Sequence, residues 1–183
     1  MESLSHNSDF QPQLKQITFK TYFHNRAEIL DYESLFFNRR VIVFSVPNVI
    51  TSQTFQHFKS IDNDYNHLIL AGVDNVYAVN STELMVGPWA DKHSNKIKGL
   101  ADVNGKFVQA LAEHYQITQS IRDLLTNWQF IVILNNGVPE KLWYVPFKSN
   151  MRWVAVKSDM WRYRNLKITQ VLEYLKQSVD ILT

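Results

Sequence analysis

Three hydroxyl side chains, Thr51, Ser52 and Thr54, follow the apolar run VIVFSV and Pro47. A β-branched run that stops at a proline and gives way to Ser and Thr reads as a strand, a tight loop and a helix start. The first backbone N–H groups of a helix lack intrahelical partners, so such a junction favours an anion or a developing negative charge. The side chains themselves are weak nucleophiles, because a hydroxyl needs an adjacent base to react near neutral pH. His57 follows Thr54 by three residues, a spacing that makes neighbours on a helix. The stretch therefore has the layout of a working site and lacks a strong reactive atom.

Other chemistry is narrowed by residue type. The 183 residues contain no cysteine, which excludes disulfides, thiolate metal sites and thiol catalysis within this chain. His6, His24, His57, His67, His93 and His114 show no H-x-x-x-H or H-E-x-x-H spacing. DNDYNH (62–67) places oxygens like the start of an EF-hand loop, but His67 stands where glycine is needed and Val73 where the bidentate Glu belongs. Neither a metal nor a cofactor is expected. KSNMRWVAVKSDMWRYRNLK (148–167) holds six basic residues and one acid, interleaved with Trp153, Trp161 and Tyr163. Arg152, Trp153, Trp161, Arg162 and Arg164 form a candidate surface for a protein partner; the plain alternative is an arm whose tryptophans pack on this domain or across a dimer contact. A net charge of +2 argues against nucleic acid.

The elements that must position these residues follow from patterning. QITFKTY (16–22) alternates as a strand, DYESLFF (31–37) as a short helix capped by Asp31, and RVIVFSV (40–46) as a strand buried on both faces. Helical spacing runs from Thr54 to Leu70, with Gly72 just past its end. DNVYAVN (74–80) and KIKGLAD (96–102) read as strands, 82–93 as a helix that Gly87–Pro88 kinks or restarts, and 104–115 as a turn and helix. Asn136–Gly137 between two apolar runs is type I′ hairpin chemistry. A final helix spans 168–182, with Ile168, Val171, Leu172, Leu175, Val179 and Leu182 on one stripe. The alternation predicts an α/β fold, a thioredoxin-like mixed sheet with helices on both faces and an antiparallel hairpin at its edge.

With 45% hydrophobic and 20% charged residues, the composition is that of a globular chain. Residues 1–13 read as a flexible polar tail without the pattern of a signal peptide, and 14–183 as one domain carrying an insertion at 148–167. No apolar run approaches the ~18 residues of a membrane span, and the cytoplasm is the expected location.

Order and motifs together resemble the peroxiredoxins, in particular the type-five group that includes bacterial forms fused to glutaredoxin. RVIVFSVP, AGVDNVYAVN, NSTELMVGPW, LADVNGKF with its D-x-x-G-x-F turn, and NWQFIVILNNGVPEKLWYVP occur in the family's order over residues 14–147. The resemblance implies a site built on a P-x-x-x-T-x-x-C motif and a distant arginine, where a cysteine thiolate attacks the peroxide O–O bond. Here the proline is Pro47 and the threonine Thr51; the cysteine falls on Thr54, with Gln53 as the other candidate, and the arginine falls on Gln129. Ser52 stands for a usual proline. Both halves of the thiolate device are replaced together.

Three readings of the hydroxyl loop follow. Thr51, Ser52 and Thr54 cap the helix; or Thr51, Ser52, Thr54 and Gln129 line a retained pocket for a small polar or anionic ligand; or Thr54, assisted by His57, is a new nucleophile. The resemblance implies a catalytically inactive peroxiredoxin-like protein with a binding or assembly role, forming a homodimer around the site face. The rivals are replaced chemistry in the old pocket and a peroxidase using an external thiol.

Overall fold

The computed structural model describes residues 14, 16–23, 26–46, 52–81, 86–117, 129–144 and 167–180. Twelve elements are defined among them: β1 (Thr18–Phe23), β2 (Arg26–Asp31), α1 (Tyr32–Phe36), β3 (Arg40–Ser45), α2 (Ser52–Leu70), β4 (Asn75–Asn80), α3 (Val86–His93), β5 (Lys98–Ala101), α4 (Lys106–His114), β6 (Phe130–Asn135), β7 (Val138–Tyr144) and α5 (Ile168–Asp180). Pro47, Thr51, the tail 1–13 and, within the basic–aromatic segment, Arg152, Trp153, Trp161, Arg162 and Arg164 lie outside the described residues.

The seven strands form one mixed sheet in the order β2-β1-β5-β4-β3-β6-β7. β3 and β4 are parallel, as are β4 and β5; all other neighbours are antiparallel. The unbroken apolar character of β3 follows from burial on both faces. Val41 and Val43 join a core with Phe36 of α1 and with Phe107 and Leu111 of α4. Ile42 and Phe44 point the other way, into a core with Phe58 and Ile61 of α2, Ala90 of α3, and Ile168, Val171 and Leu175 of α5. Helices thus cover both faces in a thioredoxin-like arrangement.

Local chemistry sets the ends of these elements. Asp31 caps α1 by accepting from the Ser34 N–H at 2.7 Å. The Asp102 carboxylate accepts from the Phe107 and Val108 N–H groups at 3.3 and 3.0 Å, capping α4, while Gly105 takes the left-handed φ of 65° that the turn needs. That is the physical content of the D-x-x-G-x-F pattern. Asn136 (φ 51°) and Gly137 (φ 73°) make the expected hairpin turn between β6 and β7.

Three differences from the sequence reading have physical reasons. β2 is an additional strand: five of its six residues are exposed, so it lacks the apolar alternation that announces a half-buried strand. β1 runs antiparallel to β5, so the parallel block is confined to three central strands. α2 begins at Ser52, two residues before the expected start; in α3, Pro88 falls in the first turn, where its missing N–H breaks no helical bond, in keeping with a restart at Gly87–Pro88. DNDYNH lies inside α2, within the helix that the spacing from Thr54 to Leu70 predicts, where the backbone cannot wrap an ion. No helix among the described residues is long and apolar enough to cross a membrane.

Candidate functional site

The βαβ connection from β3 through α2 to the parallel strand β4 makes α2 run antiparallel to both strands. The C-terminal end of β3 and the N-terminal end of α2 therefore share one end of the sheet. Asn80 holds that end closed: its Nδ2 donates to the Val46 carbonyl at 2.6 Å, and Val46 N–H donates to the Val79 carbonyl at 2.8 Å.

β6 enters the same end from the opposite direction. Its pairing with β3 sets Phe44 opposite Ile131, and the Phe130 N–H donates to Ser45 Oγ at 2.9 Å. Continuing that register brings Gln129 beside Val46. Ile131 and Ile133 belong to the core under α2, and the period-two alternation of side chains carries Gln129 to that face as well.

From the helix side, the His57 ring meets the Phe44 ring edge-on, with centroids 6.0 Å apart. Thr54 is three residues nearer the helix start, about 4.5 Å of rise. Val46 and Gln129 lie two strand residues beyond the Phe44–Ile131 pair, about 6.6 Å. The two displacements run in the same direction, so Thr54, His57 and Gln129 occupy one end of one face. Ser52, in the same first turn, is exposed.

All three are buried: Thr54 is 2%, His57 8% and Gln129 4% exposed. Burial pushes the His57 imidazole down to about 4, so it is uncharged at neutral pH and a poor acceptor for a hydroxyl proton. Gln129 Oε1 is the one buried side-chain polar atom without a hydrogen-bond partner among the described residues. The resemblance marked Gln129 as a site position, but nothing in its sequence neighbourhood announces the unpartnered oxygen. No group of three His, Asp or Glu side chains gathers around a metal position among the described residues.

A thiol-free helix start faces a neutral amide on the first residue before β6. The fold around it has close counterparts. Reduced Prx3 from Vibrio vulnificus, solved in complex with H2O2, superposes with a TM-score of 0.65 over 88% of this chain and 95% of that one, at 18% identity. AhpC from Enterococcus faecalis gives 0.63 over 93% and 94%, at 14% identity. No family model matches the chain. In sequence, the hybrid peroxiredoxin hyPrx5 of Haemophilus influenzae is 29% identical over 181 residues, spanning 93% of this chain and 70% of that protein. The chain is similar to peroxiredoxins in sequence and shares their fold. It contains no cysteine, and its thioredoxin-like fold places Thr54 and Gln129 at the strand end where helix α2 begins.

Proposed function

We propose that this peroxiredoxin-like chain does not turn over peroxide and that it uses the family fold for binding or assembly. The observation that carries the reading is the absence of cysteine from all 183 residues. Thiol peroxidases work because a thiolate attacks and then cycles through sulfenic acid; a threonine hydroxyl has neither the acidity nor the redox state. By the family resemblance Thr54, or Gln53 beside it, takes the place of the reacting cysteine and Gln129 that of its cationic support. Pro47, Thr51, Thr54 and Gln129 are thus a degenerate site.

The test is thiol-dependent peroxide consumption by the purified chain. The expected rate is that of buffer with dithiothreitol; consumption that scales with protein concentration overturns the reading. Thr54→Cys alone is expected to stay slow, because burial raises a thiol pKa where no cation opposes it. Thr54→Cys combined with Gln129→Arg is expected to turn over at least about tenfold faster, since a nearby cation favours the thiolate.

A small-ligand pocket in the same place, lined by Ser52, Thr54 and Gln129, is the second reading. The unpartnered Gln129 Oε1 favours it. We read 14–183 as one domain with an inserted arm at 148–167, and that arm, through Arg152, Trp153, Trp161, Arg162 and Arg164, as the surface for a protein partner. A homodimer packed around the site face and a cytoplasmic location complete the proposal. Partner capture that is unchanged by Trp153→Ala and by Trp161→Ala removes the arm from it.

A further inference from the structure

Gln129 poses a specific problem. It is 4% exposed and its side-chain oxygen has no partner, whereas the other buried side-chain polar atoms of the described residues are all satisfied. A buried amide carbonyl stripped of water and given no donor destabilises the fold, and a side chain of the same size without polar atoms would remove the penalty. The neighbourhood is also specific in charge. Gln129 and Thr54 are neutral, and burial keeps the His57 imidazole uncharged at neutral pH. A charged guest would lose its hydration there with no opposite charge among these three side chains to replace it. The low exposure of all three limits the guest to a few heavy atoms.

We propose that Gln129 Oε1 is the acceptor of a binding site for a small neutral molecule bearing an N–H or O–H donor, with Thr54 and His57 as its walls. This rests on the pocket reading above and gives it a ligand class. A primary amide or a small alcohol fits; a carboxylate or other anion does not. The acceptor is Oε1, so a guest without an N–H or O–H donor leaves it unpaired and binds less well.

The experiment is side-chain and backbone amide NMR on the full chain, titrated in turn with formamide, methanol and acetate. Formamide or methanol is expected to shift the Gln129 side-chain amide pair and the Thr54 and His57 backbone amides along one saturating curve. Acetate is expected to leave them in place. In Gln129→Leu the saturating shifts at Thr54 and His57 are expected to weaken at least tenfold. Gln129→Met, closer in length and also without an acceptor, replaces the leucine variant if that variant does not fold. Shifts that stay linear for both neutral probes, or that persist unchanged in the acceptor-free variant, overturn the proposal and leave a trapped water as the partner of Oε1. The two readings fail separately. Peroxide turnover by the unmodified chain refutes the inactive-peroxiredoxin reading whatever the NMR shows. Absence of saturation without turnover refutes only the ligand site.

Discussion

Single residues decide whether the hairpin that delivers Gln129 closes correctly. A Cβ on Gly137 would lie 2.6 Å from Phe37 Cε1 and 2.7 Å from Phe37 Cδ1, at a φ of 73°. The Tyr32 hydroxyl donates to the Gly137 carbonyl at 2.7 Å, so the turn cannot simply move away. Gly72 has a similar φ of 87° and nothing within 4 Å of its would-be Cβ. Gly72→Ala should therefore cost only the backbone term, about 1 kcal/mol. Gly137→Ala should cost more, about 2–3 kcal/mol, because the Phe37 ring must also shift. Urea denaturation midpoints of the two variants check the ranking. The turn glycine was legible in the sequence from the Asn–Gly pair. The ring packed against it was not, since Phe37 is 100 residues away in the chain.

Elements are held to the sheet by contacts that no local pattern shows. Between β6 and β7 the register slips, with Leu134 opposite Pro139 and Ile133 opposite Lys141, so Glu140 is the extra residue of a bulge. The bulge turns Glu140 toward Arg40 on β3. Arg40 Nε donates to Glu140 Oε2 at 3.0 Å, its Nη2 donates to Glu140 Oε1, and Nη2 also donates to Ser178 Oγ of α5 at 3.2 Å. One guanidinium thus ties together β3, β7 and the last helix. Glu140→Ala leaves that cation mostly buried without its carboxylate, at a cost of roughly 1–3 kcal/mol. α5 should respond first, because among its described residues only Ile168, Val171 and Leu175 are fully buried, with Leu172 and Tyr174 partly so. Hydrogen exchange should accelerate in the α5 amides relative to those of α4; equal acceleration in both helices contradicts a local latch.

At the scale of the whole molecule, the buried His57 makes stability fall in acid. The pKa values of His57, His93 and His114 are all lowered by burial, helped at His93 by Lys92 and Lys59. An unfolded histidine takes up its proton near 6.5 while the folded His57 resists until about 4. The unfolded chain therefore binds more protons across that window, and stability falls as pH drops from 6.5 toward 4. Asp102 works in the opposite direction, since burial raises its pKa: its contribution is largest below 3.8 and declines as pH rises through the folded value. For His57 alone the expected loss is about 3 kcal/mol over its window. Unfolding free energies at pH 7 and 4.5, for the natural chain and for His57→Phe, measure it. The variant should show a clearly flatter profile, and an equal slope in both proteins assigns the effect elsewhere.

By itself the sequence determined the strands β3, β4 and β6, the caps at Asp31 and Gly72, the hairpin at Asn136–Gly137, the resemblance to peroxiredoxins, and the absence of any thiol. These are local in origin: burial period, turn residues and residue type are written within a few positions. Tertiary structure alone decided the edge strand β2, the reversed direction of β1 and the bulge at Glu140, because pairing partners far apart in sequence impose them. It also decided that Gln129 is sealed beneath α2 with an unpartnered oxygen. The resemblance placed Gln129 at the site, but its burial and its unpartnered oxygen follow only from the register of β6 against β3.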